Sequence, residues 1–131
     1  PPQGAVLELM PRAALPPQAL SRLDFGEHLL AVLGLGASRM RVEVARSLPP
    51  PPPDSGNAFR NSYLWDADAR ALYVHARRLG GSGDFGLVLV HAAAHLLSDA
   101  APAHLHDDAR PEFTRAFHGA LATLARELFK R

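Results

Sequence analysis

The spacing of apolar residues predicts three helices. From Ser21, which can cap a helix, leucines recur at near-helical intervals as far as Gly34, so we predict a first helix over residues 21–34. Residues 85–97 are apolar almost throughout, which is typical of a helix that is buried on nearly every side. Pro111 suits the first turn of a last helix. Apolar residues then follow it at intervals of three and four, namely Phe113, Phe117, Leu121, Leu124 and Leu128.

Three other segments have the pattern of β-strands. Residues 39–46 alternate between polar and apolar, which is the period of a strand with one buried face. Residues 63–65 and 71–74 are aromatic and branched, and the polar connection between them has the length of a hairpin turn. The sequence therefore predicts an α+β fold with an N-terminal helix, a short and mostly antiparallel sheet that contains a hairpin, a buried central helix and a C-terminal helix.

Proline marks the organisation of the chain. Residues 1–20 form a proline-rich lead-in that is too irregular for a helix, although residues 6–9 could pair as a short edge strand. We expect residues 21–131 to form a single domain cut out of a longer protein. The five consecutive prolines at 49–53 and the polar residues after them predict an exposed loop over residues 49–57. We interpret this loop as a spacer in preference to a ligand for an SH3-type domain.

Composition and charge exclude several classes of function. The formal net charge is +1, and the basic residues are scattered among the acids, so we predict no nucleic-acid partner. The chain has no cysteine, which excludes a disulfide framework and thiolate zinc ligands. Its apolar stretches are too short to span a bilayer, and no signal-peptide pattern is present. We therefore expect no membrane insertion and an intracellular, cytoplasmic location.

The predicted central helix carries a pair of histidines with metal-ligand spacing. His91 and His95 are four residues apart, so both imidazoles project from the same helix face and can hold one zinc ion. A hydrolytic site of this kind reads H-E-x-x-H, in which the glutamate takes a proton from the metal-bound water. Ala92 occupies that position here. Because general-base help contributes about a hundredfold to ten-thousandfold in rate, we expect no efficient peptidase chemistry.

The residues that precede this helix resemble those of gluzincin-type zinc peptidases, particularly the minimal bacterial ones. In that family an aromatic residue and an aspartate precede a hairpin turn, a strand at the sheet edge follows, and the metal-binding helix comes after a short spacer. The corresponding residues of this chain are Tyr63-Leu64-Trp65-Asp66, Leu72-Tyr73-Val74, Leu79 and Val88-Leu89-Val90-His91-Ala92-Ala93-Ala94-His95-Leu96. The resemblance implies a zincin-like fold.

The resemblance also implies a third metal ligand. In the family this ligand is a glutamate on the helix after the metal-binding helix, and Glu112 lies in a suitable place. Asp99 and His106 are alternatives. We interpret Asp107 and Asp108 as capping or solvated loop residues.

A binding groove is a further implication of the resemblance, because family members lay an extended substrate along the edge strand. By that analogy, Leu72, Tyr73 and Val74 would line a groove that accepts a peptide by strand addition.

These features lead to one hypothesis and two alternatives. The hypothesis is a catalytically inactive zinc-peptidase-like domain, without a cofactor, that serves a larger protein as a protein-interaction or structural module. Its partner would be a protein or a peptide. The first alternative is a metallopeptidase in which an engineered substitution has replaced the general-base glutamate by Ala92. The second is a zinc-binding domain without catalysis.

Overall fold

A computed structural model describes residues 6–36, 39–52, 55–98, 107–128 and 130 of the chain. These residues form an α+β fold, as the sequence predicts, and a 3-10 helix at Ala76–Gly80 joins the sheet to the second helix. No helix in these ranges is both long enough and apolar enough to cross a bilayer. In chain order the elements are β1 (Glu8–Met10), α1 (Pro17–Val32), β2 (Arg41–Ser47), β3 (Tyr63–Asp66), β4 (Ala71–His75), α2 (Ser82–Ser98) and α3 (Pro111–Leu128).

The four strands form one mixed sheet in the order β1-β2-β4-β3. The predicted hairpin is confirmed, since β3 and β4 pair antiparallel with Tyr63 opposite Val74. On its other side β4 pairs in parallel with β2, and β1 pairs antiparallel with β2. The prediction that β4 lies at the edge of the sheet is therefore wrong, because both of its hydrogen-bonding sides are occupied. The edge strands are β1 and β3.

Within the described residues the core has three apolar clusters, of which two meet at α2. The third, which includes Ala45 and Tyr73, lies on the opposite face of the sheet. The main apolar cluster joins α1 and α2 to one face of the sheet, and α3 packs on a different side of α2. An α-helix that is covered on several sides has to be apolar around most of its circumference, which explains the continuous apolar run in the sequence of α2. Buried members of the main cluster include Leu23, Leu30, Val42, Val44, Leu72, Val74, Phe85, Val88 and Leu89.

Helix α1 begins four residues before the predicted start at Ser21. Pro17 takes the first helical position, where its fixed φ angle is already helical and its missing N–H leaves no hydrogen bond unmade. The prediction was late because it counted this proline as part of the irregular lead-in. The helix ends at a glycine with left-handed backbone, Gly34 (φ 82°), and Leu35 N–H donates to the Leu30 carbonyl at 2.8 Å.

Contact between α1 and α2 depends on Gly26. A methyl group at this position would overlap the side chains of Leu89 and Phe85. The absence of a side chain thus lets the two helices approach closely, and this approach fixes the position of α2 above the sheet.

The loop after β2 is exposed only in part. Pro50 and Pro52 are exposed, as predicted, but Asn57 at the end of the predicted loop is 1% exposed. The chain therefore turns inward after the proline run. This turn brings residues 55–62 towards the face of α2 that carries the two histidines.

Candidate metal centre

Helix α2 presents His91 and His95 on one face, one turn apart. Both side chains are buried, with exposed fractions of 6% and 1%, and their ring centroids lie 5.1 Å apart. The i, i+4 spacing produces this geometry, because residues four apart on a helix lie on the same face. The structure thus brings together the two histidines that the sequence singles out.

The third member of the site is Asp108, three residues before α3. Its Oδ1 atom lies 2.9 Å from His91 Nε2 and 2.7 Å from His95 Nε2. One carboxylate oxygen therefore contacts both imidazoles. The ligand atoms that His91, His95 and Asp108 can offer all lie within 4.8 Å of one another.

Asp108 is fixed by the loop that follows the proline run. Its Oδ2 atom accepts a hydrogen bond from the backbone N–H of Ala58 at 2.7 Å, and its own N–H donates to the Gly56 carbonyl at 3.4 Å. The two carboxylate oxygens of Asp108 thus have different partners. One contacts the histidines and the other holds the loop, which orients the carboxylate.

The same loop is fixed from inside by Asn57. The side-chain Nδ2 of Asn57 donates to the hydroxyl of Tyr63 at 2.6 Å, and its Oδ1 accepts from the N–H of Phe59 at 2.8 Å. A buried amide that satisfies both a side chain and the backbone pins the turn in one conformation. As a result, Phe59 is placed over His91.

Three phenylalanines enclose the histidines. Phe113 of α3 stacks on His95 with centroids 4.0 Å apart, and it lies 4.8 Å from the His91 ring. Phe59 makes an edge contact with His91 at 4.8 Å, and Phe117 lies 5.9 Å from it. The site is therefore closed by aromatic rings, and the exposed part of the cluster belongs to the Asp108 side chain, at 22%.

Burial and charge perturb the ionisable groups of the site. Burial lowers the pKa of His91, and the opposing effect of the Asp108 carboxylate is smaller. Burial acts to raise the pKa of Asp108, but the hydrogen bond from Ala58 and the contacts with His95 and His91 outweigh it and hold that pKa below its usual value. The neutral imidazole and the ionised carboxylate are the forms that bind a metal.

This donor set fits a zinc ion. Ligand atoms about 2.0–2.2 Å from a tetrahedral zinc are themselves about 3.3–3.5 Å apart. The contacts of Asp108 Oδ1 with the two histidines, at 2.9 and 2.7 Å, would have to lengthen by about 0.4–0.8 Å, and the widest separation among the ligand atoms, up to 4.8 Å, would have to shorten. Two imidazoles and one carboxylate favour zinc over magnesium or calcium, which prefer all-oxygen sites.

The implied third ligand, Glu112, is not part of this cluster. It lies in the first turn of α3, where its Oε1 is 3.7 Å from Arg110 Nε. The other two alternatives, Asp99 and His106, lie outside the described residues. Ala92 is 2% exposed and belongs to the main apolar cluster.

The proposed peptide groove is also absent from the predicted position. Leu72 and Val74 are fully buried and Tyr73 is 7% exposed, because β4 is an interior strand. These three residues therefore cannot offer an open ladder to an incoming peptide. The free ladder beside the hairpin belongs to β3.

Sequence reasoning missed Asp108, Asn57 and Phe59. Asp108 was interpreted as a loop residue, since no spacing rule links it to a histidine pair 13 to 17 residues earlier. One signal in the sequence could have indicated a ligand here. The two aspartates Asp107 and Asp108 lie shortly before a helix whose apolar face packs on the fold. Asp107 does have the predicted local role, because its Oδ1 accepts from Ala109 N–H at 2.9 Å.

Comparison with known protein families, with curated proteins and with solved structures found no match. The interpretation of the site therefore depends on its own geometry.

Proposed function

We propose that this chain is a catalytically inactive, zincin-like domain that binds one zinc ion for structural purposes through His91, His95 and Asp108. The observation that supports this proposal most directly is the convergence of both Nε2 atoms on one oxygen of Asp108. Zinc would join α2 to the loop before α3, and the Ala58 N–H holds Asp108 of that loop to the loop after the proline run. The domain would then act as a rigid structural module of a larger protein.

The surroundings of Asp108 favour a metal ligand over an ordinary surface carboxylate. Metal-ligating carboxylates are usually held by hydrogen bonds from further groups, which fix their orientation. The N–H of Ala58 donates a hydrogen bond of this kind to Asp108 Oδ2. A carboxylate oriented in this way presents Oδ1 to a metal at little further cost in conformational entropy.

The enclosure of the site argues for a structural role. Structural zinc sites have four protein ligands, whereas catalytic sites have three and leave the fourth position to water or substrate. The described residues supply three ligands, so the support for a structural role comes from the apolar cover of the site and from Ala92. Here Phe59, Phe113 and Phe117 cover the imidazoles. Ala92 supplies no carboxylate for general-base chemistry, and its burial in the apolar cluster leaves that position without a polar environment.

The zincin-like assignment has partial support. The hairpin, the following helix with its histidine pair and the last helix match the resemblance in order and type. Two features differ. The strand that corresponds to the family's edge strand, β4, is an interior strand, and Asp108 precedes the last helix whereas the family's glutamate lies on it. We therefore propose a likeness in architecture together with a rearranged and closed metal site.

The test is zinc binding by protein treated with EDTA and then dialysed. We expect calorimetric titration with zinc chloride to show one site, and we expect zinc to raise the melting temperature because it binds only the folded chain. The variants His95→Gln and Asp108→Asn should lose most of this affinity. Asp107→Asn is the matched control, since Asp107 bonds to Ala109 and does not contact the histidines.

Two results would contradict the proposal. If the wild type neither binds zinc nor gains thermal stability from it, the three residues form only a hydrogen-bonded core cluster. If Asp107→Asn and Asp108→Asn weaken zinc binding equally, the geometry of the site is not the cause of affinity. Exposed His28 and His118 provide a further control, because replacing both by Gln should leave the titration unchanged.

A further inference from the structure

Two neighbouring segments carry a group of arginines at one corner of the fold. The segments are residues 57–62, which precede β3, and residues 75–80, which are the last residue of β4 and the 3-10 helix after it. They are joined by a hydrogen bond from His75 N–H to the Ser62 carbonyl at 2.8 Å. Arg60 lies on the first segment, and Arg77 and Arg78 lie on the second.

The three guanidinium groups are tied to these segments through neutral acceptors. Arg77 donates to the Asn61 carbonyl, and Arg60 donates to the Asn57 carbonyl at 3.4 Å. Arg78 Nε donates to the Ser62 hydroxyl at 2.9 Å, and its guanidinium lies 5.1 Å from the centre of the Phe59 ring. Each contact fixes a side chain and leaves its charge without a carboxylate partner among the described residues.

The three arginines therefore give this corner a positive charge, even with the Asp108 carboxylate bound to Ala58 of the first segment, although the chain as a whole is close to neutral. The ion pairs within the described residues involve other arginines, such as Arg12, Arg41 and Arg46. Burial and the positive charge of Arg77 lower the pKa of His75 beside it. Arg60 and Arg77 are exposed and Arg78 is half-buried, so their charges face solvent at least in part.

We propose that Arg60, Arg77 and Arg78 form a docking surface for an acidic segment of a protein partner. The surface shares the segment 57–62 with the zinc site, but it uses other side chains and goes beyond the structural role proposed above. Arginine presents a planar fork of donors that matches a carboxylate with two parallel hydrogen bonds. Because hydrogen bonds to the fold already restrict these side chains, binding an acidic segment costs less conformational entropy than it would for free side chains.

An acidic protein segment fits this corner better than a nucleic acid or a membrane. Three cations neutralise few phosphates, whereas proteins that bind DNA strongly make about six to ten phosphate contacts. Electrostatic membrane binding requires clusters of about four to eight basic residues. A short run of glutamates or aspartates has a length and a charge that match three arginines on two adjoining segments.

The probe for this proposal is a fluorescein-labelled octaglutamate peptide, whose binding is measured by fluorescence anisotropy at about 0.1 M salt, where the Debye length is about 10 Å and charges elsewhere on the fold are largely screened. The variant Arg60→Gln/Arg77→Gln/Arg78→Gln should bind it about tenfold more weakly than the wild type, since each exposed charge pair contributes modestly. The control is Arg39→Gln/Arg115→Gln/Arg126→Gln, which removes the same number of charges from exposed positions elsewhere. We expect the control to change the affinity by less than about twofold.

The outcomes separate the proposal from its competitors. Equal weakening by the two triple variants, or no peptide binding by the wild type, would overturn it. Tighter binding of a single-stranded DNA 12-mer or of phosphatidylserine vesicles than of the peptide would also overturn it. Amide chemical shifts of the wild-type protein give a second test that needs no variant. Peptide-induced changes should concentrate at residues 57–62 and 75–80, and changes located elsewhere would place the surface on another part of the fold.

Discussion

The backbone N–H of Ala58 donates to Oδ2 of Asp108 at 2.7 Å, across 50 residues of sequence. This hydrogen bond joins the loop that follows the proline run to the segment that starts the last helix. It also decides which oxygen of Asp108 faces the histidines, because the opposite oxygen is already engaged. A main-chain group of a residue with no functional side chain therefore takes part in the candidate site.

Replacing Ala58 by Pro removes this donor and should weaken zinc binding. Loss of a group that orients a metal ligand typically lowers affinity about tenfold to a hundredfold. Ala69→Pro is a matched control, because the Ala69 N–H also donates to an aspartate, Asp66, at 3.1 Å in the hairpin turn, and that aspartate does not contact the histidines. Calorimetric titration of both variants with zinc measures the difference, and an equal loss in the two would mean that the Ala58 hydrogen bond has no specific role.

The sequence predicted the elements better than the way they assemble. Three helices and the hairpin follow from apolar periodicity and turn residues, which are local properties. The interior position of β4 depends on β2 adding to its free side, and no local pattern encodes that pairing. The wrong prediction of an edge strand has this cause. An alternating pattern indicates a strand but does not show how many other strands pair with it.

The candidate site, like the fold, could be predicted only where it depends on local spacing. The i, i+4 rule fixes the relation of His91 to His95, whereas Asp108 reaches them only because α3 packs against α2 and the preceding segment is held by Ala58. Such tertiary placement cannot be read from spacing along the chain. The start of α1 illustrates the converse, since Pro17 is a local signal that was available but was assigned to the lead-in.

A glutamate introduced at position 92 should not create an enzyme. Ala92 is 2% exposed within the main apolar cluster, so Ala92→Glu would place a carboxylate among buried hydrophobic side chains. We expect a loss of roughly 2–4 kcal/mol in the free energy of unfolding, and we expect no hydrolysis of a fluorogenic peptide with zinc present. Urea denaturation followed by circular dichroism measures the first effect.

Ala125→Glu is the control for this change. Ala125 lies on α3 and is exposed, so the same substitution should alter stability by no more than about 0.5 kcal/mol. A stable Ala92→Glu protein that binds zinc and cleaves the peptide would show that position 92 faces a working active site. The metallopeptidase hypothesis would then replace the structural one.

Alkaline pH should destabilise the fold through Tyr63. Burial, together with the charge of Asp108, raises the pKa of this hydroxyl far above its usual value, although the hydrogen bond from Asn57 acts in the opposite direction. The unfolded chain therefore loses the proton more readily than the folded one. The contribution of Tyr63 to stability is complete below about pH 10 and falls as the pH rises further, by at most about 1.4 kcal/mol per pH unit.

Urea unfolding of the wild type and of Tyr63→Phe between pH 8 and pH 11 measures this effect, because other titrating groups cancel in the difference. At pH 8 the variant should be less stable by about 1 kcal/mol, since the hydrogen bond from Asn57 Nδ2 to the Tyr63 hydroxyl is removed. Above pH 10 the difference in the free energy of unfolding between the two proteins should become smaller, because the wild type loses stability faster. Two parallel curves would show that the hydroxyl of Tyr63 ionises equally in the folded and unfolded chains, and would contradict this prediction.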